Sequence, residues 1–135
     1  MGCFAFLAIL AYWVAWFLAP QVVQSLTPQD PDYRIYVAFE QAFILADSWL
    51  AVNGLAGAIG LARQRSWGFL CMLLAGGSGV FLGLMDMLYD LQHGVFSALT
   101  SATLIELVIV IFLLIFSPLV IYLTWINRGN YFGER

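Results

Sequence analysis

Five acidic side chains, Glu40, Asp47, Asp86, Asp90 and Glu106, lie inside otherwise apolar runs, and neither lysine nor arginine lies within those runs to neutralise them. A carboxylate at a bilayer centre costs about 2.5–3.5 kcal/mol on insertion scales, so such residues usually face a bundle interior or a watery cavity. Clustered carboxylates without a paired base suit a cation: a proton, a metal ion or an organic amine. The five acids are therefore the candidate ligand or proton pocket. Within it, Asp86-x-x-x-Asp90 and Asp90-x-x-His93 put three potential ligands on one helix face. With Glu106 they form a candidate metal set, Asp86, Asp90, His93 and Glu106, and the cofactor it implies is a divalent ion such as Zn, Mn or Fe. A di-metal bundle would need two Glu-x-x-His motifs and two further Glu residues. The chain has one Asp-x-x-His and one histidine, which also excludes a bis-histidine haem within one chain.

Each residue also has a plainer reading. Glu40 is two turns from Arg34 and could be solvated at an interface. Asp90 and His93 could cap a helix end, with Asp90 paired to Arg34. Asp47 and Asp86, deepest in their runs, could be protonated acids hydrogen-bonded across helices, with Asn53 and Ser78 as acceptors. Two functions of other classes compete with cation binding. A lipid- or isoprenoid-modifying enzyme could use Asp86 and Asp90 with Mg²⁺ and a diphosphate, but only Arg34 is available to the phosphates. Ser48 and Ser97 have no base nearby in sequence to make either a nucleophile. An accessory subunit of a larger complex could dock through the first run (Trp13, Trp16, Phe17) or through residues 107–126, although lipid is the default neighbour of both.

The elements that must position these acids follow from the apolar runs. A span needs about 20 mostly apolar residues. Four runs qualify, at about 3–19, 34–62, 66–93 and 98–125. Backbone polar groups must be satisfied within the hydrocarbon, so the runs are helices, and nothing alternates with period two as a membrane strand would. The expected architecture is all-α: one integral membrane domain over residues 1–135, an up-down antiparallel four-helix bundle. Residues 20–33, with Pro20, Pro28 and Pro31, are expected to be an extended loop.

Arg63 and Arg65 fall in the short second loop, and Arg128 and Arg135 in the tail. The positive-inside rule then places that loop and both termini in the cytoplasm, in what is expected to be a bacterial inner membrane. Trp67 and Trp125 fall at the inner boundary, Tyr33 and Tyr36 at the outer one. The first run lacks the basic start and small-x-small site of a cleaved signal, and is expected to be retained. Met-Gly-Cys opens the chain, but Phe6 stands where a myristoylation motif needs Ser or Thr.

Small residues predict the packing. Gly54, Gly57 and Gly60 lie on the second helix, Ala75, Gly79 and Gly83 on the third, and such stripes let backbones approach closely in lipid. Gly79, Gly83, Asp86, Asp90 and His93 share a seam, as do Glu40, Asp47 and Gly54, and the simplest expectation is that these seams face each other. Folding the hairpins sets Glu40 level with about Tyr89, Asp47 with about Leu82 and Glu106 with about Leu88. The acids then converge in the outer half, above a glycine-packed inner half.

Composition excludes other classes. Of 135 residues, 63% are apolar and 10% charged, against about 45–50% and about 25% in soluble domains. The net charge of −3 and the lack of a basic patch exclude a nucleic-acid role. Cys3 and Cys71 form no Cys-x-x-Cys and read as structural thiols. The expected partners are the lipid bilayer and a homo-oligomer or larger membrane complex.

Overall fold

The computed structural model describes residues 2–26 and 33–132, all helix and connecting turn, with no strand among them. In order these are α1 (Gly2–Leu18), α2 (Pro20–Leu26), α3 (Tyr33–Ala62), α4 (Ser66–His93), a 3₁₀ turn (Val95–Ser97), α5 (Ser101–Ile126) and α6 (Gly129–Phe132). Among the described residues, α4, α5 and α3 from Ile35 onward are long and apolar enough to cross a membrane, and α1 is a shorter apolar helix.

Helix α2 departs from the expected extended loop. Proline fits the first turn of a helix, where its missing N–H would have no partner anyway. The amides of Val22 and Val23 bond back to the Ala19 carbonyl at 3.0 and 3.3 Å, and Val23 is buried. The helix thus starts at Pro20 and folds against α5. Pro28 and Pro31 lie outside the described residues.

The turn between α3 and α4 closes like a Schellman motif. The Arg65 amide bonds the Gly60 carbonyl at 2.8 Å, the Gln64 amide bonds that of Leu61 at 2.9 Å, and Gln64 sits at φ +53°. At the other end of α4, Gly94 takes φ +65° and donates its N–H to the Asp90 carbonyl. Helix α5 begins three residues later than its apolar run. Thr100 is its N-cap, with Thr103 completing a reciprocal capping box, so the chain from Gly94 to Thr100 is spent on the turn.

Successive long helices pack antiparallel. Phe6 of α1 covers Gly54 of α3. A Cβ on Gly57 would stand 2.8 Å from the Met72 nitrogen, and Gly60 and Gly68 meet with no room for a Cβ on either. Phe39 stacks on Tyr89 at 3.9 Å, which matches the expected register of the hairpin. Gly76 and Gly79 of α4 meet Ser117, beside Pro118 within α5, and Gly83 meets Leu113 and Leu114. This pairing brings Glu106 level with about Asp90, less than one turn from expectation.

These contacts correct one expectation. The glycine seam of α4 faces α5, not α3. The Glu40–Asp47–Gly54 seam of α3 faces α1. Of the expected packing glycines, Gly57 meets α4, Gly54 meets α1, and Gly79 and Gly83 meet α5.

The core contains Phe6, Trp13, Phe43, Leu50, Ala51, Ala75 and Leu82, drawn from α1, α3 and α4. Large apolar side chains also cover the outside, among them Leu45, Leu91, Val108 and Ile115. In water such a surface would be costly; against lipid tails it is the ordinary exterior of a small membrane protein.

Candidate functional site

The acids sit on three helices, and two of them, Glu40 and Asp47, accept hydrogen bonds from α1. Asp47, one turn before the buried Leu50 and Ala51, accepts from Trp13 Nε1 at 2.9 Å. Glu40 accepts from the Tyr12 hydroxyl at 3.2 Å, and Tyr36 lies one turn earlier on α3. The Phe6–Trp13 step on α1 equals the Asp47–Gly54 step on α3. Two turns of antiparallel helix therefore place Phe6 on Gly54 and Trp13 on Asp47 together.

On α4, Asp86 and Asp90 continue the seam of Gly79 and Gly83 one turn apart. Glu106 comes from the opposite side, on α5. The Phe39–Tyr89 stack sets Glu40 near the level of Asp86 and Asp90, with Asp47 two turns away, and the Gly83–Leu113 contact sets Glu106 near Asp90. The five acids therefore share one region of the fold. Glu40, Asp47, Asp86 and Glu106 are half-buried, and Asp90 is buried at 4% exposure. Asp90 Oδ2 is closed to water and has no hydrogen-bond partner.

A column of rings runs beside the acids. Phe43 meets Phe39 edge-on at 4.7 Å, Phe39 stacks on Tyr89, and Tyr89 stacks on His93 at 4.0 Å. His93 is exposed at the end of α4, with Nδ1 3.0 Å from the Tyr89 carbonyl.

Several sequence expectations land elsewhere. Asp86, Asp90, His93 and Glu106 do not gather into a metal group: among the described residues no three His, Cys, Asp or Glu side chains do so. Asn53 and Ser78 bond the carbonyls of Trp49 and Leu74, one turn back on their own helices, not the acids. Tyr36, expected at the outer boundary, is buried within the bundle. Asp90 serves the end of α4 through its backbone carbonyl, not its side chain. Trp13 is buried in the bundle, which removes it from any outward docking surface. Trp67 and Trp125 are exposed at the Arg63 end. Cys71 is half-buried and free. The side chains of Cys3, Tyr33 and Arg34 lie outside the described residues.

Tyr12, Trp13 and Tyr36 are the site residues that sequence reasoning missed. The signal available was the matching seven-residue step on α1 and α3. A groove of about 310 Å³ is lined by Ala46, Trp49, Gly77, Ser78, Phe81 and Leu82, and one of about 30 Å³ lies among Phe6, Leu50, Gly76 and Ser117. Neither is lined by any of the five acids. No protein-family model, curated protein or solved structure matches the chain.

Proposed function

We propose that this is a four-span bundle of a bacterial inner membrane, with the Arg63–Arg65 turn and both termini in the cytoplasm, whose intramembrane acids bind or move a cation. The observation that carries this reading is the charge balance of the cluster. Five carboxyl groups converge from α3, α4 and α5. The donors recorded for Glu40 and Asp47 are neutral hydroxyl and indole groups. Buried carboxylates need compensation, because an isolated charge in a low-dielectric interior is expensive. A cation supplies it. The exposed apolar faces are the lipid contact, and a homo-oligomer or larger complex would form across them.

The test is cation uptake by the full chain in lipid vesicles, measured for protons, Mn²⁺ or Zn²⁺, and ethylammonium. Wild type is expected to take up at least one of them. Asp86→Asn and Asp47→Asn are each expected to lose that uptake while still inserting with wild-type helicity. Uptake unchanged in both variants would overturn the reading.

A further inference from the structure

The cation reading leaves open which cation the cluster takes, and one atom bears on that. Asp90 Oδ2 lies inside the bundle without a donor and without contact with water. The acid cluster alone would not identify a ligand, but a buried, orphaned carboxylate oxygen within it constrains what can bind there. We propose, resting on the cation reading, that the ligand is a proton held on the Asp90 carboxyl group and exchanged through the Gly94 end of the molecule.

Three sizes of cation can be compared. A metal ion needs several donors converging at bonding distance, and no such group exists among the described residues. An amine needs a cavity of its own size beside the carboxylate, whereas Asp90 Oδ2 is closed even to water. A proton needs no volume. It forms one O–H bond with the carboxylate and removes one charge from the interior, with no change of oxidation state.

The surroundings give the direction of exchange. The titratable groups whose charges bear on Asp90 are Glu40 from α3, Asp86 and His93 from α4, and Glu106 from α5. His93 is exposed, lies one turn beyond Asp90 and is coupled to it electrostatically. It is the only titratable side chain between Asp90 and the end of α4. Toward the Arg63 end, Phe6, Leu50, Ala51 and Ala75 form an apolar plug. Beyond it α3 and α4 close backbone to backbone at Gly57–Met72 and Gly60–Gly68. Between Asp47 and Arg63 on α3 there is no titratable side chain, and the matching stretch of α4 holds only Cys71.

The experiment uses the full chain in phosphatidylcholine vesicles and dicyclohexylcarbodiimide, an apolar reagent that adds to protonated carboxyl groups. Peptide mass spectrometry reads the site. The expected result is an adduct on Asp90 whose yield falls as pH rises, which is lost in Asp90→Asn and kept in Asp90→Glu. An adduct confined to Asp86 or Glu106, or none at any pH, overturns the assignment to Asp90. Binding of one Mn²⁺ or Zn²⁺ per chain that Asp90→Asn abolishes would overturn the proton while leaving the cation reading standing. Absence of adduct, metal and ethylammonium binding would remove both.

Discussion

At the scale of single residues, Glu40 and Asp47 depend on partners from another helix. Trp13 Nε1 is the donor to Asp47 Oδ2, and truncating it would leave a half-buried carboxyl oxygen unsatisfied. Trp13→Phe keeps most of the ring and removes the donor. It is expected to lower stability by about 1–3 kcal/mol, read from denaturant unfolding in mixed micelles by circular dichroism. In an Asp47→Asn background the same change should cost less, because the acceptor is then neutral; equal costs would show that the bond contributes nothing. The five acids were legible in the sequence because a charge in an apolar run stands out against its neighbours. Tyr12 and Trp13 were not, because in such a run an aromatic that faces lipid and one that faces an acid look alike. What separates them is the rotation of α1 about its axis, for which the only signal is the seven-residue step from Phe6 to Trp13 that matches Asp47 to Gly54.

At the scale of elements, a hairpin with a tight turn has little freedom of register. The levels of Glu40 and Asp47 against α4 could therefore be read by counting from Arg63–Ser66, as the Phe39–Tyr89 stack shows. Which face of α4 meets which neighbour could not be read that way. A helix with small residues on several sides can dock through any of them, and here Gly68 and Gly79 turn to different partners. The start of α5 was misplaced because apolar character does not mark a helix end, whereas the Thr100–Thr103 cap does. Two glycines separate packing from bystanders. Gly57→Leu drives a side chain into the Met72 backbone and is expected to cost about 1–3 kcal/mol or more. Gly77 has open space where its Cβ would be, so Gly77→Ala is expected to be neutral or to stabilise by up to about 1 kcal/mol through helix propensity. The same unfolding measurement checks both, and equal effects would mean that the α3–α4 contact is not close.

At the scale of the whole molecule, the proposed orientation rests on four arginines. A fluorescent protein that matures only in the cytoplasm, fused after Arg135, is expected to fluoresce. Replacing Arg63 and Arg65 with Ala while adding Lys at two of the positions 95–97 is expected to reduce that signal by partial inversion. Unchanged fluorescence would mean that other features set the topology. The turn that carries those arginines has a further consequence, for how the chain is made. Helix α3 holds two acids and has a mean hydropathy of 1.5, against 3.0 for α5. Each of those acids carries an insertion cost of about 2.5–3.5 kcal/mol at the bilayer centre. As it leaves the ribosome, α3 is thus a poor candidate to partition into lipid unaided. Because only Arg63, Gln64 and Arg65 separate it from α4, the two emerge nearly together and can cross the insertion machinery as one hairpin. In the proposed bilayer setting, each residue added to this turn, which its own backbone hydrogen bonds seal, is expected to lengthen the interval in which the acids of α3 face the hydrocarbon without their neighbour.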